Sequence, residues 1–305
     1  MSRGFWYKRE QMKTLLLRLT FCALLLVFLA TKSQAQLYGA TSAGGPGELY
    51  ILSPTTGGVI QDVGPTNDAS AQNYPITGLA FDPLTGILYG STGNAGGVAS
   101  DARLVTIDPL TGLVTVIGSF NAGPTNSTGT PATMADIAFD SAGKLFGIAS
   151  IGGPNLYSIN IATGQATLVG PNGASTSTAG GGLAISPLDI FYGTPTPARY
   201  GTYNSSTGAF TNITNPTKPV GGAYAALDFN GSTLYGLDLG PGPTQATHLV
   251  SIDPTTGAVT DIGASVNFLD SIAFQAVPEP GTVSMFLIGC SLLGVAARKR
   301  RQSQS

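Results

Sequence analysis

Three aspartates are the residues best suited to do chemistry in this chain. Asp136, Asp228 and Asp270 stand in the short apolar segments "ADIAF", "ALDFN" and "LDSIAF". Carboxylates brought together from distant segments can share proton-transfer work, one neutral and one charged, as in hydrolysis of glycosidic bonds. The bland alternative is that they cap strand starts or face solvent. The other candidates are weaker. His248 is the only histidine and has no His, Cys or carboxylate close to it in sequence, so a surface or structural role is expected. Asp82, Asp108 and Asp253, with Asn160 and Asn204 in equivalent places, begin loops of the type "DPLTG". Calcium needs six or more converging oxygens. Each of these loops offers one side-chain carboxyl or amide, which suits a turn better than a metal. No cofactor or metal motif is present, and no nucleophile elbow or phosphate-cradling glycine loop.

The elements that carry these residues repeat along the chain. Five segments align on a "TG": "LYILSPTTGGVIQDVG", "LVTIDPLTGLVTVIG", "LYSINIATGQATLVG", "YGTYNSSTGAFTNIT" and "LVSIDPTTGAVTDIG". Their marker glycines, Gly57, Gly112, Gly164, Gly208 and Gly257, are 55, 52, 44 and 49 residues apart. A second motif precedes the last four: "GLAFDPLTGILYG", "DIAFDSAGKLFG", "GLAISPLDIFYG" and "ALDFNGSTLYG". Alternating apolar and Thr/Ser positions read as strands. In the loops, an Asp or Asn side chain accepts from a backbone N–H two residues on, Pro presets its own φ, and Gly supplies a positive φ. About fifty residues holding four short strands is the length of a propeller blade.

The expected fold is therefore all-β, a five-bladed β-propeller, or six-bladed if a loop such as "GSTGNAGGVASDA" conceals a degenerate blade. Within a blade the order is inner strand "LAF", then "LYG", then "LYxID", then outer strand "VTxIG". The repeat body opens on a second strand, "LYGAT", and ends on an unpaired inner strand, "SIAFQ". Joined, they make one blade from both ends and leave no open sheet edge. This body, residues 36–276, also resembles domains of unknown function common among exported bacterial propellers, a likeness that implies fold and no catalytic residue.

Charge separates the body from its flanks. Residues 36–277 hold four Lys/Arg against fourteen Asp/Glu, a net charge of −10. Such a surface speaks against nucleic acid as a partner. Both cysteines, Cys22 and Cys290, lie outside the body, which excludes a disulfide framework and a cysteine nucleophile within it.

The flanks read as export signals. Residues 1–35 end in the apolar run "LTFCALLLVFLA" and "TKSQA", with small residues placed for signal-peptidase cleavage between Ala35 and Gln36. At the other end, residues 281–297 form an uncharged apolar run. As a helix it would be about 25 Å long, the lower limit for a membrane span. Arg298, Lys299, Arg300 and Arg301 follow, and by the positive-inside rule they stay in the cytoplasm with the body outside. The stretch Val277-Pro278-Glu279-Pro280-Gly281, the apolar run and the basic cluster together resemble the PEP-CTERM sorting signal of Gram-negative bacteria, over residues 277–305. That resemblance implies processing by a membrane-embedded exosortase, after use of the export machinery and signal peptidase. It also implies an inner-membrane-anchored precursor with its body in the periplasm, then a place on the cell surface or in the extracellular matrix. Together these features lead to an exported, non-enzymatic propeller that binds extracellular polysaccharide or surface proteins. The alternatives are a polymer hydrolase using Asp136, Asp228 and Asp270, and an unprocessed single-pass tethered protein.

Overall fold

The computed structural model describes residues 35–42, 45–93, 102–121, 133–149, 155–170, 181–195, 199–240 and 245–275. The signal segment 1–34, the motif Val277–Gly281, the apolar run 281–297 and the basic residues 298–301 lie outside them. Among the described residues no helix is long and apolar enough to cross a membrane.

Among the described residues every regular element is a strand. The chain opens with β1 (Gln36–Thr41), β2 (Glu48–Leu52) and β3 (Val59–Pro65). Four sets of four follow. The first is β4 (Ile76–Phe81), β5 (Leu88–Thr92), β6 (Arg103–Ile107) and β7 (Val114–Ser119). The second is β8 (Met134–Phe139), β9 (Leu145–Ala149), β10 (Leu156–Ile159) and β11 (Ala166–Gly170). The third is β12 (Leu183–Ile185), β13 (Phe191–Gly193), β14 (Tyr200–Tyr203) and β15 (Phe210–Thr214). The fourth is β16 (Tyr224–Asn230), β17 (Thr233–Asp238), β18 (His248–Ile252) and β19 (Val259–Ala264), after which β20 (Leu269–Gln275) stands alone in sequence.

Each set is one antiparallel meander, and β20 pairs with β1 to give a fifth sheet in the order β20-β1-β2-β3. The register runs from Gln36 opposite Gln275 to Thr41 opposite Leu269. The body is thus a five-bladed propeller closed by a blade from both ends of the described chain, and the six-bladed alternative falls away. Burial falls from the axis outward. The second strands β5 and β9 are buried at every residue, whereas β3 and β15 are exposed along most of their length. Outer strands tolerate Thr, Asn and Gln for that reason.

The loops that begin Asp-Pro or Asn behave as the sequence predicts. Asp82, Asp108 and Asp253 accept at Oδ1 from the N–H two residues on at 2.9, 2.8 and 2.9 Å. Asn160 and Asn204 do the same through their carbonyl oxygen at 2.9 Å. A neutral amide does this as well as a carboxylate, so the loops need an acceptor rather than a charge. The marker glycines have φ of 74, 74, 78, 71 and 70°.

Those glycines have a second use that the sequence conceals. The turn glycine of each blade lies against the end of the outer strand of the blade before it. A Cβ on Gly112 would meet the carbonyl oxygen of Pro65, one on Gly164 that of Gly118, and one on Gly57 that of Gly263. The "TG" and "IG" of the repeat are therefore two sides of one seam, where backbone packs on backbone. Aromatic pairs bridge the same seams nearer the axis. Tyr38 packs on Phe81, Tyr89 on Phe139, Phe146 on Phe191, Tyr192 on Phe229 and Tyr235 on Phe274, with ring centroids 4.8–5.5 Å apart.

Candidate functional site at the propeller axis

The five inner strands run through the same positions, read from "TGLAF" (77–81), "ADIAF" (135–139), "GGLAI" (181–185), "AALDF" (225–229) and "DSIAF" (270–274). Aligned in this way, each candidate aspartate falls in a different column. Asp270 shares its column with Thr77, Ala135, Gly181 and Ala225. Asp136 stands with Gly78, Gly182, Ala226 and Ser271. Asp228 stands with Ala80, Ala138, Ala184 and Ala273. The three carboxyls thus occupy three levels along the axis, each where the other blades carry Gly, Ala, Ser or Thr.

Bulges set the first column apart. The inner strands lose register with their neighbours between Ile76 and Gly78, between Met134 and Asp136, and opposite Ala40/Thr41. A bulge releases its extra residue from the ladder. Thr77 uses this freedom to donate to the carbonyl of Met134 on the next blade at 2.7 Å. Such cross-blade bonds run around the whole axis. Ser271 Oγ donates to Ile76 O at 3.3 Å, Gly181 N to Tyr224 O at 3.0 Å, and Phe274 N to Asp228 Oδ2 at 2.6 Å.

Asp136 joins more blades than any of these. It is fully buried. Its Oδ1 accepts from its own neighbour Ile137 N at 2.9 Å, while Oδ2 accepts from Leu183 N at 2.8 Å and Leu227 N at 3.1 Å. One carboxyl therefore ties together β8, β12 and β16. Burial pushes its pKa well above the usual carboxylate range; the three N–H donors pull it back, and the charge of Asp228 adds a smaller push upward.

Asp228 is less enclosed. It accepts from Phe229 N at 2.8 Å and from Phe274 N, and burial raises its pKa to about 7 against those two donors. It borders a cavity of about 90 Å³. Phe81, Phe139, Ile185, Phe229 and Phe274, one from each blade, ring this cavity. Asp270 lies in the bulge of β20, hydrogen-bonded to Ser42, with its pKa raised to about 7 by burial. The charge of Asp228 thus reaches Asp136, while Asp270 is held by a different partner at another level.

His248 does have a carboxylate, although none is near it in sequence. Asp261, from the adjacent strand β19, lies 3.0 Å from its Nδ1. The pair is partly exposed and sits at the blade's outer half, away from the inner strands. Sequence reading also missed Thr77, Ser271 and Ser42. A column-by-column alignment of the inner strands carries the signal, since Thr, Ser and Asp interrupt columns of Gly and Ala.

Comparison with known proteins adds the handling signal. Residues 276–301 match the PEP-CTERM protein-sorting motif. The chain carries a PEP-CTERM sorting tail. Such a tail marks an exported protein with a membrane-anchored precursor, processed by exosortase-type machinery. No curated protein matches the sequence. A crystal structure of TolB from Acinetobacter baumannii is similar with a TM-score of 0.43 and 16% identity, over 74% of this chain and 52% of that one. This chain covers about half the length of that structure.

Proposed function

We propose that the propeller is a non-catalytic binding module, carried by its PEP-CTERM tail from the periplasmic face of the inner membrane to the cell surface or extracellular matrix of a Gram-negative bacterium. Its ligands are extracellular polysaccharide or surface proteins. The observation that supports this reading is the condition of the axial carboxyls. Asp136 has no solvent access, and its oxygens accept from three backbone N–H groups. That leaves Asp228 as the single open carboxyl at the cavity among the described residues, whereas carboxylate-based glycoside hydrolysis uses a pair that both reach substrate. Fold alone does not assign a function to a propeller, so the site's chemistry is what counts.

The test is a glycan-binding screen of residues 36–276 run beside a reducing-end assay on the same polysaccharides. Binding without release of new reducing ends is expected. Release that is lost in Asp228→Asn would overturn the reading in favour of a hydrolase. Handling is tested separately by intact mass. In a host with an exosortase, the mature protein is expected to begin at Gln36 and to lack residues beyond about Pro280. Recovery of the basic tail in that host would instead favour a plain membrane tether.

A further inference from the structure

Asp228 accepts a cross-blade bond from Phe274 N, but closing the propeller does not depend on a carboxyl at this position. The same column in the other four inner strands is Ala80, Ala138, Ala184 and Ala273, and those strands close the propeller without a carboxyl. Placing a carboxylate here carries a desolvation cost. No cation of the chain offsets it among the described residues: the influences on Asp228 are burial and the N–H groups of Phe274 and Phe229. The body has only four Lys/Arg. Of these, Lys144 lies over the ring of Phe146, and Lys218 acts on Asp238.

We propose that the cup at this end of the channel is a binding site for a protonated primary amine, with Asp228 as its counter-ion. Two backbone donors fix the carboxyl in place and use two of its roughly four acceptor positions, so the rest remain for N–H groups of a ligand. Phe81, Phe139, Phe229 and Phe274 stand around it, and aromatic rings accept cations and cover the carbons that follow an ammonium head. The cavity holds about 90 Å³, well above the roughly 10–15 Å³ that a single water needs. That is room for an ammonium group and a short piece of its alkyl stem. The net charge of −10 on the body favours cationic ligands at longer range. The inference narrows the binding role proposed above. It fails separately from that role, because a neutral glycan held elsewhere on the propeller would score in the glycan screen and leave the cup empty.

The probe is n-butylammonium added to residues 36–276, read by the carboxyl carbon resonance of Asp228 across a pH series. The expected result is saturable binding that lowers the apparent pKa of Asp228. Affinity is then expected to fall about tenfold per pH unit below the pKa that Asp228 has without amine, as protons compete for the carboxylate. Asp136 on β8 and Asp270 on β20 are the neighbouring carboxyls, and Asp270→Asn, which lies outside the cup, is expected to leave amine affinity within twofold. Asp228→Ala installs the residue of the other four blades, so it is expected to fold and to weaken binding at least tenfold. Two further arms distinguish the source of the amine: Nα-acetyl-lysine amide, whose side-chain ammonium is free, stands for a protein side chain, and glucosamine set against N-acetylglucosamine stands for a partly deacetylated polysaccharide. Equal affinity for neutral n-butanol would overturn the proposal, as would amine binding that survives Asp228→Ala. The absence of any Asp228 response to millimolar amine would do the same.

Discussion

Asp136 and Asp228 differ in what surrounds their oxygens, and that difference sets what each can do. Asp136 gives up its acceptor capacity to three blades, so its replacement acts on stability. In Asp136→Asn one acceptor becomes a donor: whichever way the amide turns, its nitrogen meets either the N–H of Ile137 or those of Leu183 and Leu227, leaving buried groups unpaired. A loss of about 3 kcal/mol is expected, from 1–3 kcal/mol for each unsatisfied buried group, measured by urea unfolding. A loss under about 0.5 kcal/mol would mean that the clasp is ornamental, as ordinary surface substitutions are. Titration gives a second prediction. Burial lifts Asp228 and Asp270 to about 7 from an ordinary value of 3.8. Between those values the folded chain holds more protons than the unfolded one, so stability rises as pH falls through this window and is lowest above about 7. Asp68, Asp189 and Asp253 are shifted the other way by hydrogen bonds, and their contribution is lost only below 3.8. Thermal unfolding is therefore expected to occur at higher temperature near pH 5 than near pH 7.5, with a smaller difference in Asp228→Asn and in Asp270→Asn. A flat profile in the unsubstituted protein would contradict this account.

At the scale of elements, the blade seams explain why the repeat keeps two glycines. A Cβ on Gly118 would strike the carbonyl oxygen of Thr163 in the next blade, whereas one on Gly86 would meet nothing within 4 Å. Gly86 has a φ of +72° and Gly118 is not in that left-handed region. The two substitutions thus separate packing from conformation. Gly86→Ala is expected to cost about 1 kcal/mol, the price of a left-handed φ for an L-residue. Gly118→Ala is expected to cost more, about 2 kcal/mol or beyond, because backbone on both sides must move. Chemical denaturation of the two variants decides the order, and a smaller effect at Gly118 would remove the seam argument. The same seams mark how far sequence could be read. Strands, turns and blade count follow from patterns that recur within one blade, such as Asp108 and Gly112 four residues apart. Contacts between blades have no such local signature. Leu183 is 47 residues from Asp136 and Leu227 is 91 away, and Asp261 reaches His248 only because β18 and β19 are paired. The three aspartates were visible as residues beside inner strands. Their separation into three levels became visible only when all five strands shared one axis.

For the whole molecule, closure and processing meet at one pair of residues. Gln36 and Gln275 face one another at the end of the β1–β20 ladder. The expected signal-peptidase site lies just before Gln36, and the sorting motif matches from residue 276. Both expected cuts would therefore fall outside the closing blade by a residue or a few, and the propeller would lose no strand to them. Residues 36–276 are accordingly expected to unfold in one cooperative step at the same temperature as the chain that retains its tail. Ending the chain at residue 268 gives the opposite expectation. It removes β20, and with it the clasp from Ser271 to Ile76 and the partner of β1. The free edge of β1 then offers its unpaired N–H and C=O groups to another chain. Loss of the cooperative transition, or self-association, is expected in sedimentation and thermal unfolding of residues 36–268. A monomer that melts like residues 36–276 would show that four blades and three strands suffice, and that the few residues preceding the motif serve processing alone.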